Sequence, residues 1–320
     1  MMRRSLFLFL MLLASCNDDK KTIPEQKTEL SNLPETSVVI LGTFQDAGSP
    51  HIACKKECCE DLFENPDPLR KVVSLGIIDP QNQKTFLFEA TPDISSQVKQ
   101  LKLFSALEKE LPDGIFLTHA HIGHYTGLMY LGKEATNAAN IPVFAMPRLR
   151  QFLATNGPWS QLVSQNNISL QELEDQKEMR LTPNVSVVPF SVPHRDEYSE
   201  TVGYIITGPS KKVLFIPDID KWAKWETPIV EAISKVDYAF LDATFYSGDE
   251  LNTREITEIP HPFIEESMML FKNLPASEKQ KIHFIHFNHT NPVIDSDSNA
   301  YKAVIRNGFH VAKINSRFSL

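Results

Sequence analysis

The sequence predicts an α/β fold in which helices cover layered β-sheets. Apolar runs of strand length alternate with helix-length stretches through both halves of the 320 residues. Side chains of the types that bind metals follow directly after several of these apolar runs. With 42% hydrophobic and 22% charged residues, the chain has the composition of an ordinary globular protein. Together these observations favour a layered α/β sandwich.

The first half of the chain begins with apolar runs that predict buried or half-buried strands. A helix is predicted from Ile94 to Leu111, because its apolar residues recur at helical spacing and Pro112 ends it. A strand at Ile115–Leu117 and a helix reaching about Ala139 come next, and residues 148–170 have the pattern of helix and loop. The other strands predicted in this half are Val38–Leu41, Val72–Ile78, Thr85–Phe88 and Pro142–Phe144.

The second half repeats this alternation of strands and helices. Helices are predicted near Trp222–Ser234 and Pro262–Phe271. The predicted strands are Val185–Phe190, Gly203–Ile206, Lys212–Ile216, Tyr238–Leu241 and Ile282–Ile285. No sequence repeat accompanies this gross symmetry of the two halves.

The charge balance argues against a nucleic-acid partner. The chain carries 40 acidic and 32 basic residues, for a formal net charge of −8. Proteins that bind a phosphate backbone usually present a basic face. We therefore expect a small-molecule substrate or ligand rather than DNA or RNA.

The N-terminus has the pattern of an export signal. Met1–Arg4 is positively charged, and Ser5–Leu13 is apolar but too short to span a bilayer. The Leu-Ala-Ser-Cys sequence that ends at Cys16 resembles the lipobox of bacterial lipoproteins. This resemblance implies a signal peptide at residues 1–15 and a lipid on Cys16 that anchors the chain to a membrane of the cell envelope. The membrane face (outer-membrane, periplasmic or surface) stays open, and a plain secretory signal with an incidental cysteine is the alternative.

The remainder of the chain divides into a tether and a globular domain. Residues 16–36 are rich in charged and polar side chains and bury too little apolar surface to order themselves. A single domain is predicted over residues 37–320.

Three cysteines remain after Cys16, and they lie close together in the sequence. Cys54, Cys58 and Cys59 follow His51 within nine positions. In an oxidising compartment they predict one disulfide and a leftover thiol. The alternative is a small structural zinc site with His51 as the fourth ligand.

A cluster of histidines is the strongest chemical signal in the sequence. His119, His121 and His124 fall within six positions, directly after the predicted strand Ile115–Leu117. Neutral imidazole is the commonest protein ligand for zinc and related metals. The cluster therefore predicts a catalytic metal site in a loop at a strand end.

Further metal-ligand types follow three other predicted strands. His194 comes after the strand that begins at Val185, and Asp218 comes after Lys212–Ile216. His286, with His289 nearby, comes after Ile282–Ile285. A single histidine at a strand end is usually structural, but this many at four strand ends favour one shared site.

In this order, the ligand-type residues resemble the metallo-β-lactamase superfamily. The resemblance extends from about Val38 to the C-terminus. It implies a four-layer αββα sandwich with the active site along one edge of the two sheets.

Within that superfamily, the closer resemblance is to coenzyme PQQ synthesis protein B. Segments similar to that branch are Leu41–Thr43, Leu241–Tyr246, Glu258–His261 and His286–Pro292. The cysteines at 54–59 also fall where that branch carries a cysteine cluster. The histidine loop at 119–124, by contrast, is closer to the hydrolytic members.

The superfamily resemblance implies two metals, with Asp218 bridging between them. A hydroxide held by these metals would attack a phosphorus or carbonyl centre. His286 is favoured over His289 as the last ligand because it ends the apolar strand. Asp242 is expected to orient a ligand or to protonate a leaving group, and His261 to line the substrate pocket, with ordinary hydrogen bonding as the alternative for both. The implied ligands are His119, His121 and His194 for the first metal and His124, Asp218 and His286 for the second.

Gly123 departs from the superfamily pattern, which has an aspartate at that position of the loop. Without this aspartate, the second metal is expected to keep at most two imidazoles and one carboxylate. The sequence therefore leaves open a site with one metal and a site with weak occupancy of the second. Zinc, one or two ions per chain, is the expected metal, and iron or manganese also suits the ligand set.

Three functions remain open at the level of the sequence. The leading hypothesis is a metal-dependent hydrolase of the cell envelope that acts on a phosphodiester or another ester. The second is a protein similar to PQQ-biosynthesis proteins that acts on or transports a cofactor precursor. The third is a degenerate site, marked by Gly123, that serves binding or transport.

Overall fold

The computed structural model describes residues 35–195, 197–250 and 259–320. The predicted signal peptide at 1–15, Cys16 and nearly all of the tether at 16–36 lie outside the described residues. The strands are β1 (Ser37–Gly42), β2 (Ser74–Asp79), β3 (Lys84–Phe88), β4 (Gly114–Phe116), β5 (Ile141–Ala145), β6 (Ile168–Glu172), β7 (Met179–Arg180), β8 (Ser186–Ser191), β9 (Val202–Thr207), β10 (Lys212–Ile216), β11 (Tyr238–Asp242), β12 (Ile282–Ile285), β13 (His310–Val311) and β14 (Arg317–Ser319).

Short helices connect these strands. The described α-helices are α1 (Glu57–Glu60), α2 (Ile94–Ser105), α3 (Ile122–Tyr125), α4 (Pro147–Thr155), α5 (Trp159–Ser164), α6 (Ile229–Ser234), α7 (Ile264–Leu270), α8 (Ala276–Lys279) and α9 (Asn299–Arg306). Within the described part of the chain, no helix combines the length and the apolar character needed to cross a membrane.

The strands form two mixed sheets of seven strands each. The order is β14-β1-β2-β3-β4-β5-β6 in the first sheet and β13-β12-β11-β10-β9-β8-β7 in the second. The β3 to β6 pairs and the β10 to β13 pairs are parallel, and the remaining pairs are antiparallel. Parallel neighbours require crossover connections, which explains the helices between them.

Three apolar clusters account for the layers. One lies between the sheets and includes Leu75, Phe88, Tyr204 and Phe215. The two others lie on the outer faces, where α2, α4 and α5 cover the first sheet and α6, α7 and α9 cover the second. The predicted four-layer αββα sandwich is therefore confirmed.

The pairing directions bring several strand ends to one edge. β1, β3 and β4 run in the same direction in the first sheet, as do β8, β10, β11 and β12 in the second. Hydrogen bonds also join the two sheets beside their carboxyl ends, from the Tyr204 hydroxyl to the Leu117 carbonyl and from the Val202 amide to the Thr118 carbonyl. Ligands of open α/β sheets commonly bind outside such carboxyl ends.

Two predicted helices are shorter than expected. The helix that begins at Ile94 ends at Ser105, because Ala106 takes a left-handed conformation with φ of 54°. Residues 108–110 are charged and exposed, so they offer no apolar face to extend it. After Tyr125 the chain forms a 3₁₀ turn, Thr126–Leu131, in which the Gly127 amide donates to the Ala90 carbonyl outside the helix.

The remaining differences are local. Pro228 separates the 3₁₀ turn Trp222–Lys224 from α6, where one continuous helix was expected. Residues 168–170 belong to β6, because the backbone from Ile168 pairs with β5 rather than continuing α5. The strands β7, β13 and β14 were not predicted, because two or three residues are too few to show an alternation of apolar and polar side chains.

Truncation of Leu75 to alanine tests the core between the sheets. Leu75 is fully buried, whereas Leu103 on α2 is 53% exposed. We expect Leu75→Ala to lower the free energy of unfolding by about 2–5 kcal/mol, and Leu103→Ala to change it by less than about 0.5 kcal/mol. Denaturant unfolding of both variants measures the difference, and equal losses would contradict this assignment of the core.

Candidate metal centre

The histidine loop is held in place by contacts at both ends. The amide of Leu117 donates to the Phe144 carbonyl, and the amide of Ala120 donates to Oγ of Ser199 at 2.8 Å. α3 follows at Ile122, so the loop presents His119 and His121 before the helix and His124 within it. His119 and His124 are fully buried.

A first group of donor atoms contains three imidazoles and one carboxylate. One donor atom from each of its residues lies within 4.8 Å of the donors of the others. Its members come from the ends of β4, β8 and β10, and they include every residue that the sequence assigned to the first metal. The group consists of His119, His121, His194 and Asp218.

A second group lies beside the first and shares Asp218 with it. Its donor atoms also lie within 4.8 Å of one another. Asp46, in the loop after β1, belongs to this group and was not predicted from the sequence. The group consists of Asp46, His124, Asp218 and His286.

The carboxylate of Asp218 lies at the centre of both groups. Its oxygens are 3.3 Å from Nε2 of His194 and 3.4 Å from Nε2 of His119. Nε2 atoms of His124 and His286 each lie 3.8 Å from Oδ2 of the same carboxylate. Four imidazoles therefore direct the same ring atom at one buried acid.

The opposite ring atom, Nδ1, of each of these four imidazoles contacts an oxygen. Metal-bound histidines are usually oriented in this way by an outer partner. Thr118 Oγ1 lies 2.9 Å from His119, Glu89 Oε1 lies 3.4 Å from His124, Asp220 Oδ1 lies 3.3 Å from His194, and Thr244 Oγ1 lies 2.9 Å from His286.

Burial lowers the pKa of some imidazoles of the centre, and nearby carboxylates raise the pKa of others. Burial, with the nearby His124, holds the pKa of His119 well below its ordinary value, and burial also lowers the pKa of His121. Burial would lower the pKa of His124 too, but the carboxylates of Glu89 and Asp46 raise it well above the ordinary value. Burial would likewise lower the pKa of His286, but the carboxylate of Asp218 raises it to about 9.

The carboxylates of the centre are correspondingly ionised. Burial would raise the pKa of Asp218, but His194, His261 and His286 hold it well below its usual range. Burial would also raise the pKa of Asp46, but the charge of His124 holds it well below its usual range. In the metal-free chain, imidazolium protons thus balance the carboxylates, and a bound cation would displace those protons.

Unpaired donor atoms show that these residues fit a divalent metal. Among the described residues, five buried atoms on the metal-facing side of the centre have no hydrogen-bond partner, and each such atom costs about 1–3 kcal/mol unless something satisfies it. Imidazole nitrogen with carboxylate oxygen is a donor set that suits zinc, iron or manganese. The atoms are Oδ1 of Asp46, Nε2 of His119, Nε2 of His124, Oδ1 of Asp218 and Nε2 of His286.

Asp242 and His261 form a pair behind the shared carboxylate. Nδ1 of His261 lies 2.8 Å from Asp242 and 3.1 Å from Asp218. Asp242 also accepts from the amides of Ile219 and Thr244. Burial opposes its ionisation, but His261 lowers the pKa of Asp242 to about 2, so it is suited to accept hydrogen bonds rather than to release a proton. His261, only 13% exposed at its side chain, lies where its ring reaches both carboxylates.

The cysteines form a separate cluster, and its histidine differs from the one expected. Donor atoms of Cys54, Cys58, Cys59 and His289 lie within 4.8 Å of one another. All three thiols are free, with 4.0 Å between the sulfurs of Cys58 and Cys59, so the structure does not contain the expected disulfide. Nδ1 of His51 lies 2.8 Å from the Ile52 carbonyl. The His51 ring lies tilted beside that of His289, and it is the His51 backbone amide that donates to Sγ of Cys59.

Comparison with known proteins identifies the family. A model of the beta-lactamase superfamily domain matches residues 84–284, which is more than half of the chain. The chain belongs to this superfamily. Membership agrees with the fold, and it agrees with the ligand-type residues at the strand ends.

Individual relatives point to one branch of the superfamily. Coenzyme PQQ synthesis protein B of Methylococcus capsulatus is 26% identical over 303 residues, covering 85% of this chain and 96% of that protein. The crystal structure of Zn²⁺-bound PqqB from Methylobacterium extorquens superposes with a TM-score of 0.74 at 22% identity, covering 89% of this chain and all of that chain. A diphosphatase of the PhnP family superposes with a TM-score of 0.62 at 19% identity, covering 89% and 97%. The predicted resemblance to PQQ synthesis protein B is confirmed.

Sequence reasoning missed Asp46 and Glu89 at the centre. Both follow strands, β1 and β3, in the same way as the predicted ligands do. Glu89 is fully buried and has a positive φ of 76°, which an isolated sequence does not reveal. Asp46 lies four residues beyond the end of β1, and no pattern in the sequence marks it as a ligand.

Replacement of Glu89 by glutamine tests the outer contact to His124. The substitution keeps the volume of the side chain and removes the carboxylate that lies 3.4 Å from Nδ1. Loss of such an outer partner typically weakens metal affinity by about 10–100-fold, and we expect a loss of that size for one metal only. Zinc titration measures it, with exposed Glu231→Gln as the control. Unchanged affinity in the Glu89 variant would show that this contact does not support a ligand.

The metal-free protein is expected to lose stability as the pH rises. The folded pKa of His286, about 9, exceeds its ordinary value of 6.5, so its contribution is complete below pH 6.5 and disappears as the pH passes about 9. Thermal melts of the chelator-treated protein should therefore show a falling melting temperature across that interval. With zinc bound, the fall should be smaller, because metal binds the neutral imidazoles more tightly as pH rises. A melting temperature of the metal-free protein that stays constant would contradict this charge arrangement.

Proposed function

We propose that the chain is a metal-dependent hydrolase that acts on a phosphodiester or another ester of a small molecule. The convergence of four Nε2 atoms on the Asp218 carboxylate carries this proposal. The superfamily membership and the fold likeness to a diphosphatase support it. The proposed metal of this centre is zinc, one or two ions, and iron or manganese suits the same donors.

A divalent metal in this centre supplies Lewis acidity, which lowers the pKa of water towards neutrality and polarises a bound ester. His119, His121 and His194 would hold the first ion, and His124 with His286 would hold the second. Asp218 would contribute to both, because its carboxylate belongs to both groups of donors.

Residues around the metals would bind and protonate the substrate. Arg195 lies at the exposed rim, with its guanidinium 3.4 Å from Nε2 of His121, where it can contact an anionic phosphoryl oxygen. His261 is the candidate proton donor for the leaving group. Burial would lower its pKa, but Asp242 and Asp218 raise the pKa of His261 well above the ordinary value. Asp242 keeps that ring in position.

Hydrolysis of bis-p-nitrophenyl phosphate and of aryl esters tests the proposal. We expect turnover by the zinc-loaded protein and its loss in His121→Ala. The His121 side chain is 13% exposed, so its removal should leave the apolar core intact. Elemental analysis of both proteins accompanies the assay. A protein that binds metal and turns over no member of the panel would contradict the hydrolase.

A second candidate is a step in handling a cofactor precursor. The similarity to coenzyme PQQ synthesis protein B over 85% of the chain favours it. In that case the same residues hold the metal, and the protein acts on or transports the precursor without hydrolysing simple esters. Strong metal binding together with an inert ester panel is the result that selects this candidate.

The location at the cell envelope is part of the proposal. The lipobox-like sequence at Cys16 supports a lipid anchor. Incorporation of a fatty-acid probe into the expressed full chain, with Cys16→Ser as the control, tests it. Equal labelling of the two proteins would contradict lipidation at this cysteine.

A further inference from the structure

The side-chain space at Gly123 is filled by Asp46. A Cβ atom on Gly123 would lie 2.4 Å from Cα of Asp46 and 2.5 Å from its Oδ1. Real Cβ atoms do not approach other atoms this closely, so residue 123 cannot carry a side chain while Asp46 holds its position. The backbone at Gly123 itself has no positive φ that would require glycine. The glycine is therefore explained by Asp46, whose backbone and carboxylate both lie in this space.

Asp46 is directed at the imidazoles of the second group. Its Oδ1 lies 2.8 Å from Nε2 of His124 and 4.0 Å from Nε2 of His286. Neither Oδ1 of Asp46 nor Nε2 of His124 makes a hydrogen bond of normal geometry to any described residue. His124 and His286 are fully buried, so these unpaired atoms face one another in a site closed to bulk water.

Backbone contacts fix the Asp46 loop against the strand end that carries His286. The amide of Gln45 donates to the Phe287 carbonyl, and the amide of Phe287 donates to the Thr43 carbonyl. A turn follows in which the amide of Gly48 donates to the Gln45 carbonyl at 2.8 Å. Asp46 is thus held on a rigid element, as a metal ligand requires.

We propose that Asp46 is the carboxylate ligand of the second metal and that it replaces the aspartate missing at position 123. This inference rests on the proposed metal centre and deepens it. With Asp46, the second metal has two imidazoles and two carboxylates, one of them shared. The expected weakness of that site, inferred from Gly123, therefore does not follow.

A side chain at position 123 would collide with the backbone of Asp46 as well as with its carboxylate. The nearest atom is Cα of Asp46, 2.4 Å from the Cβ position, and no substitution at position 46 removes it. Gly123→Ala should therefore displace the Asp46 loop and move its carboxylate away from His124. Asp46→Asn removes the charge of the same ligand and leaves its place in the loop unchanged.

Cobalt titration of the full chain tests this relocation. Visible absorption reports Co²⁺ at the imidazole and carboxylate donors, and thiolate charge transfer separately reports the cysteine cluster. We expect Asp46→Asn to weaken the second equivalent at the centre by at least ~10²-fold, since even outer partners cost 10–100-fold, and to leave the first equivalent unchanged. Gly123→Ala should weaken the same equivalent, since its Cβ displaces the backbone that carries Asp46.

The controls separate this inference from the proposed function. Asp297→Asn, an exposed aspartate, should bind as the parent does, and melting curves establish that each variant is folded. Asp46→Asn with unchanged binding of both equivalents overturns the inference, as does a folded Gly123→Ala variant that binds both equivalents as the parent does. A parent that binds two equivalents but hydrolyses no ester overturns the hydrolase and leaves the relocation standing.

Discussion

Replacement of Asp218 by asparagine is expected to cause the largest loss of metal binding and activity of any single change. The substitution preserves shape and removes the only charge shared by the two groups of ligands. We expect ester hydrolysis to fall by at least ~10²-fold and both metals to bind weakly, because loss of even an outer partner costs 10–100-fold. Activity and zinc content of the purified variant are the measurements.

Asp297→Asn is the matched control, since Asp297 is exposed and lies just before α9. It should retain the metal content and the activity of the parent. A folded Asp218→Asn variant with normal zinc content would contradict the role of Asp218 as the shared ligand.

Removal of His289 is expected to have the second largest effect, on stability. His289 joins the three thiols of the cysteine cluster, whereas His51 does not. Binding of structural zinc contributes on the order of 10 kcal/mol in small zinc-binding peptides. We propose that these four donors hold a structural zinc, so His289→Ala should release it and lower the free energy of unfolding by at least about 2 kcal/mol.

His51→Ala provides the comparison within the same cluster. Its ring contacts the Ile52 carbonyl and lies tilted beside His289, so its loss should leave the zinc in place. Zinc released on denaturation and chemical unfolding measure both variants. Loss of zinc in His51→Ala but not in His289→Ala would reverse this assignment and favour the ligand first expected from the sequence.

The cluster and the metal centre are adjacent along the chain at two points. His289 follows His286 by three residues, and Asp46 precedes Cys54 by eight. The segment that carries His286 and His289 has one more contact, because Thr290 Oγ1 donates to the Glu250 carboxylate at 2.9 Å. The cysteine cluster is therefore placed to hold the loop of Asp46 and the strand end of His286 together.

Features with a local cause in the sequence could be predicted. Apolar runs such as Val38–Leu41 and Lys212–Ile216 coincide with β1 and β10, because a buried strand needs little beyond its own side chains. The residues after these runs, including His194 and Asp218, lie together because parallel strand ends share one edge. The resemblance to a known superfamily added the assignment of each of these residues to the first or the second metal.

Features that depend on distant contacts could not be predicted. Asp46 lies 77 positions before Gly123 in the sequence, and only the folded chain shows that one fills the space of the other. His51 is nearer to the cysteines in sequence than His289, yet the β12 strand end brings His289 to them. The early end of α2 at Ser105 depends on the left-handed conformation of Ala106.

Anomalous diffraction at the zinc edge from crystals of the zinc-loaded chain tests the central claim most directly. The proposed centre predicts two peaks beside Asp218, one among His119, His121 and His194 and the other among Asp46, His124 and His286. A further peak should lie at the cysteine cluster. The absence of any peak beside Asp218 at full zinc loading would contradict a metal-dependent function for this protein.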